Sequence, residues 1–167
     1  MKIVVIGDSN AYGFDPYNGR YLNPWPKLLS EYINKEVINH GMNGMMISHV
    51  NPDTLYGIDK HDLILIQLGT NDILNGFFMD YIDKKLDKMI DIFKEYTVIY
   101  LIPKDVKGFP SLVNLFQSKS MDTINLNEWD IDLSYDGIHF TEKGHEQVAK
   151  FIYTHILGYV TIKYEQD

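Results

Sequence analysis

Three runs of consecutive apolar, mostly β-branched residues constrain this chain more than anything else in it: Lys2-Ile3-Val4-Val5-Ile6-Gly7, Leu63-Ile64-Leu65-Ile66-Gln67-Leu68 and Thr97-Val98-Ile99-Tyr100-Leu101-Ile102. A strand with one wet face alternates apolar and polar residues, so runs without alternation read as strands covered on both faces. Such strands need helices above and below, and the segments between them carry a helical period. Trp25, Leu28, Leu29, Tyr32 and Ile33 share one face of a helix over 25–34, with Pro26 in its first turn. Ile82, Leu86, Met89, Ile90 and Phe93 do the same over 78–95. A third helix, over 141–157, opens at Thr141-Glu142-Lys143-Gly144 and carries Val148, Phe151, Ile152 and His155.

Weaker strand candidates at 36–39 and 123–126 complete the alternation. The pattern predicts an α/β fold: a flavodoxin-like three-layer α/β/α sandwich with a central parallel sheet of about five strands. No repeat, low-complexity stretch or linker divides the 167 residues, so one domain over 1–167 is expected. Pro103, Gly108 and Pro110 predict a long loop around a short helix over 103–122. Residues 158–167 predict either a short edge strand at Tyr159-Val160-Thr161-Ile162 or a trailing end. The segment 14–26, rich in Tyr, Asn and Pro, reads equally as a specificity loop or as a structured connection.

Composition excludes several functions. Lys and Arg number 15 against 23 Asp and Glu, a formal charge of −8, and no basic cluster reverses this locally, so nucleic acid is not an expected partner. Without cysteine there are no disulfides, thiolate metal sites or cysteine nucleophiles. His40, His49, His61, His145 and His155 form no metal-ligand spacing, so neither metal nor cofactor is expected. The first apolar run ends at Asp8, too short for a signal peptide, and no run reaches membrane-spanning length. A cytoplasmic protein with no membrane insertion is the expectation.

Three polar clusters follow strand ends or precede the last helix: Gly7-Asp8-Ser9-Asn10-Ala11-Tyr12-Gly13, Gly69-Thr70-Asn71-Asp72 and Asp136-Gly137-Ile138-His139. In a parallel sheet the working edge lies beyond the carboxyl ends of the strands, where all three would converge. Each alone reads as an ordinary turn or helix cap. Together they supply a reaction. A serine hydroxyl needs a base to take its proton, and Ser9 would find one in His139. The imidazole needs an acceptor on its other nitrogen, and Asp136 lies three residues away. Asn71 can offer an amide N–H to a developing oxyanion, beside the Ser9 N–H and that of a glycine.

These residues resemble the SGNH, or GDSL-type, esterases and lipases. Gly7-Asp8-Ser9 with Gly13 resembles the nucleophile block, Asn39-His40-Gly41-Met42-Asn43-Gly44 the glycine block, Gly69-Thr70-Asn71-Asp72 the Gly-x-Asn-Asp block, and Asp136-Gly137-Ile138-His139 the Asp-x-x-His block. Asn10 stands where the family often has leucine, and the chain is short between 102 and the last block. The resemblance implies a single SGNH-hydrolase-like domain and a carboxylic ester hydrolase acting on a small-molecule ester through an acyl-enzyme on Ser9. It implies a triad of Ser9, Asp136 and His139 and an oxyanion hole of Ser9, Gly44 and Asn71, with Gly41 as the alternative glycine. Tyr12, Met45, Phe77 and Tyr135 adjoin the blocks and are candidate substrate contacts, as are Phe14, Phe78, Met42 and Met46. Asp8 is expected to order its turn.

Two other readings meet the same residues. Gly7-Asp8-Ser9-Asn10-Ala11 nearly fits the nucleophile elbow of α/β-hydrolases, but that elbow follows several strands and its acid and histidine lie on separate loops. A flavodoxin-like module binding flavin, phosphate or carbohydrate without catalysis would use the same strand ends. The 7–13 loop lacks the hydroxyl-rich composition such a phosphate site favours.

Overall fold

The computed structural model describes residues 1–164, with side chains described to residue 160. Strands β1 (Ile3–Gly7), β5 (Leu63–Gln67) and β6 (Thr97–Ile102) are the three apolar runs, and they are buried almost throughout. They occupy the middle of a five-stranded parallel sheet, whose edges are β4 (Val37–Gly41) and β7 (Asp122–Asn125), in the order β4-β1-β5-β6-β7. Among these five the chain order is 2-1-3-4-5, the flavodoxin-like winding, and the switch point falls between β1 and β5. The edge strands are only partly buried, which is why their sequence signal is weaker.

Alternate residues of each strand feed two cores. Ile3, Val5, Leu63, Leu65, Ile99 and Leu101 pack on one face with α2 (Trp25–Ile33) and α6 (Glu142–Tyr164). Ile6, Ile64, Ile66, Tyr100 and Ile102 pack on the other with α4 (Met79–Ile92), the 3₁₀ turn Ile47–His49 and Phe116 of α5 (Val113–Gln117). Within 103–122, α5 is indeed a short helix set in a long connection.

Two expectations change. The edge strand at Tyr159-Val160-Thr161-Ile162 is instead the continuation of α6, which runs to Tyr164; residues 165–167 lie outside the described residues. Val148, Ile152, Ile156 and Val160 recur every four residues and are all buried, so one helical stripe extends through Gly158 and overrides the local β propensity. On that stripe Ile156 takes the buried place, and His155 is exposed. The segment 14–26 holds a small antiparallel ribbon, β2 (Phe14–Asp15) paired with β3 (Gly19–Arg20). Among the described residues no helix is long and apolar enough to cross a membrane.

Candidate active site

Parallel register brings the tips of three strands level, with Gly7 opposite both Gly41 and Gln67. From the first tip rises α1 (Ser9–Tyr12), a single turn whose N-cap is Asp8: the Asp8 carboxylate accepts the Asn10 N–H at 3.0 Å. Ser9 therefore stands at the start of a helical turn at the carboxyl edge of the sheet. Gly41 of β4 lies so close beneath this turn that a Cβ there would meet the backbone of Ala11 at 2.7 Å. Asn39 ties the same two elements, donating to the Ala11 carbonyl and accepting the Gly41 N–H, both at 2.8 Å.

The third polar cluster arrives from the other end of the chain and is pinned to the first. Asn10 donates to the Ile138 carbonyl and accepts the Phe140 N–H, each at 3.0 Å, so its amide staples the two residues that flank His139. The His139 Nε2 then lies 3.0 Å from the Ser9 hydroxyl, and its Nδ1 lies 2.5 Å from Asp136 Oδ2. The other Asp136 oxygen accepts the Ser134 hydroxyl and the N–H groups of Ile138 and His139. Partial burial pushes this carboxyl up, but those four hydrogen bonds together hold it well below the usual carboxylate range. Asp136 is thus a fixed anion against the imidazole. Phe14 of the β2–β3 ribbon packs on the His139 ring with centroids 4.7 Å apart, and the exposed rings of Tyr17 and Tyr135 meet edge to face beside it.

Asn71 and Asp72 belong to α3 (Thr70–Leu74), which follows β5, and they grip the loop after β4. Asn71 Nδ2 donates to the Met45 carbonyl at 3.1 Å, and Asp72 Oδ2 accepts the Ile47 N–H at 3.1 Å. In the same loop Gly44 is exposed and held at φ 78°, a left-handed conformation suited to glycine. Among the described residues neither the Gly44 nor the Ser9 N–H has a protein acceptor, whereas the Gly41 N–H is engaged by Asn39. Asp72 is fully buried with Oδ1 unpartnered, and burial raises its pKa. Burial also pushes Asp8 up to about 7, to which the neighbouring Asp72 charge adds against the Asn10 hydrogen bond.

Of the remaining candidates, Tyr12 is capped by the Arg20 guanidinium 4.0 Å above its ring. Met45 is buried and, with Met42 and Gly44, lines a hollow of about 470 Å³. Phe77 packs edge to face on Tyr81 and, with Phe78 and Phe109, borders a separate hollow of about 300 Å³. Sequence reasoning missed Asn10, whose role depends on residues 128 and 130 positions away, and the grip of Asp72 on Ile47. His145, one of the histidines without metal-ligand spacing, is fully buried, with Nδ1 accepting the Trp25 N–H and its pKa pushed down to about 4 by burial. The one available signal of that burial was a histidine placed in the first turns of an apolar helix. Among the described residues no cluster of three His, Asp or Glu side chains could hold a metal ion.

The arrangement has relatives. An arylesterase of Vibrio mimicus is 33% identical over 105 residues, a match spanning 56% of this chain and 49% of that protein, so the two align over about half of the relative's length. A solved structure of a putative arylesterase from Agrobacterium tumefaciens superposes with TM-score 0.79 at 16% identity, covering 93% of this chain and 97% of the other. A carbohydrate acetylesterase family member from Sinorhizobium meliloti superposes with TM-score 0.76 at 16% identity, covering 93% and 96%. These two likenesses are of fold. The sequence profile of the GDSL-like Lipase/Acylhydrolase family matches residues 5–129, which takes in the Ser9 turn, the Gly44 loop and Asn71. With three quarters of its length under that profile, the chain belongs to the GDSL-like lipase/acylhydrolase family.

Proposed function

We propose that this protein hydrolyses small carboxylic esters through an acyl-enzyme on Ser9. The observation that carries the reading is the unbroken hydrogen-bonded line from the Ser9 hydroxyl through the His139 ring to the Asp136 carboxylate at the carboxyl edge of the sheet. Ser9 Oγ attacks the ester carbonyl carbon as its proton passes to His139 Nε2, and the imidazolium is stabilised by the Asp136 anion. The oxyanion is received by the free N–H groups of Ser9 and Gly44 and by the second amide hydrogen of Asn71, whose first is held by Met45. Collapse breaks the bond to the alcohol, which leaves with the proton from Nε2. Water then repeats the sequence: His139 takes its proton, the hydroxide oxygen bonds to the acyl carbon, and Ser9 leaves with the proton restored. The names of the relatives, an arylesterase and a carbohydrate acetylesterase family member, support ester substrates with a ring on the alcohol side.

The experiment is turnover of p-nitrophenyl acetate and butyrate by wild type and Ser9→Ala, with fluorophosphonate labelling in parallel. Wild type should turn over ester and take the label at Ser9, and Ser9→Ala should do neither. Equal turnover by both proteins, or label retained in the variant, would overturn the reading.

A further inference from the structure

Beyond the loop that carries Gly44 lies the hollow of about 470 Å³, lined by Ile6, Met42, Met45 and Tyr56 together with Gly44 and the polar His40, Asn43, His49, Asp53 and Thr54. Its size lies in the range of small-molecule sites, and most of the surface it presents is apolar, although polar side chains share the lining. Two methionines give it an adaptable wall, suited to a flexible chain more than to a rigid ring. It is joined to the reaction centre, because one of its walls is the residue whose N–H faces the oxyanion in the function proposed above.

The sheet decides which half of an ester reaches it. Phe140, next to His139, belongs to the core on the α2/α6 face, whereas Ile6 and Met45 belong to the core on the α4 face. The segment that carries His139 is therefore anchored on the α2/α6 face, whereas the hollow is built on the α4 face. The departing alcohol must lie within reach of His139 Nε2 to receive its proton, which puts it on the side of Phe14, Tyr17 and Tyr135. The remaining substituent of the tetrahedral carbon is the acyl chain, and it is left to the other side. We infer that this hollow is an acyl-chain subsite, so that the protein prefers esters of medium-length unbranched aliphatic acids over acetates. This assignment rests on the serine-esterase reading and extends it from reaction to substrate class.

The test keeps the leaving group constant and lengthens the acyl chain, using p-nitrophenyl acetate, butyrate, hexanoate and octanoate. A second arm keeps the acyl group as acetate and lengthens the alkyl alcohol. In wild type kcat/KM should rise with acyl length, by up to ~4-fold for each methylene that enters the hollow, the equivalent of ~0.8 kcal/mol. Met42→Asp and Tyr56→Ala change two exposed walls, 61% and 92% accessible, so folding is not at stake. Each should cut the octanoate-to-acetate ratio, Met42→Asp by roughly tenfold or more through the charge placed beside the chain, and leave the slope of the alcohol series as in wild type. A wild type that turns over acetate but gains nothing with acyl length overturns the assignment and leaves the esterase reading intact. Variants that flatten the alcohol series instead show that the leaving group occupies the hollow, which also overturns it. If wild type hydrolyses no ester and takes no fluorophosphonate label, the esterase reading fails and the acyl subsite fails with it.

Discussion

Asp8→Asn should make this protein more stable at alkaline pH, although it alters the residue beside the proposed nucleophile. Asp8 is 2% exposed, its carboxyl accepts the Asn10 N–H, and burial beside Asp72 carries that carboxyl from 3.8 to about 7. A pKa raised on folding means the folded chain holds the proton more tightly than the unfolded one. The group's contribution is therefore intact below pH 3.8 and is lost as pH climbs to about 7. At ~1.36 kcal/mol for each pKa step, the full loss is about 4 kcal/mol, of which roughly 3 falls between pH 5 and pH 8.5. Asparagine keeps the side-chain oxygen that caps α1 and carries no charge to bury. Urea unfolding of wild type and Asp8→Asn at the two pH values reads the difference directly. The variant should gain about 3 kcal/mol on wild type in going from the lower pH to the higher, or roughly 6–12 °C in Tm for a chain of this size. A stability difference that does not change with pH would refute the assignment of a buried, protonated Asp8.

Two further outcomes follow from the geometry. Asn71→Ala removes the proposed side-chain oxyanion donor and should lower kcat by about 100- to 1,000-fold with KM little changed; a kcat near wild type in steady-state assays would argue against that role. Gly41→Ala places a methyl group against the Ala11 carbonyl carbon at 2.7 Å and Tyr12 Cα at 2.8 Å, both backbone atoms that cannot rotate away. It should cost about 1–3 kcal/mol in urea unfolding, and an unchanged midpoint would contradict the close packing of β4 under α1.

The legible parts of the sequence were those where burial is two-sided or chemistry is local. β1, β5 and β6 announced themselves because both faces are covered, and Asp136 and His139 could be paired because three residues separate them. The juncture of Ser9 with His139 was legible only as convergence at a sheet edge, since 130 positions lie between them. The end of α6 was misread because Tyr-Val-Thr-Ile favours strand locally, while the stripe from Val148 to Val160 is decided by what the sheet offers it. The β2–β3 ribbon has two residues per strand, too few to leave a period. Asn10 and Asp72 were opaque for another reason: a polar side chain in a turn looks the same in sequence whether it bonds its own loop or a distant one.

The amide of Asn10 has a mechanical meaning. By bonding on both sides of His139 it docks the imidazole onto the same turn that bears the serine, and not onto the strand or helix that delivers it. Serine and imidazole are thus fixed to one small platform, 3.0 Å apart, although 130 positions separate them along the chain.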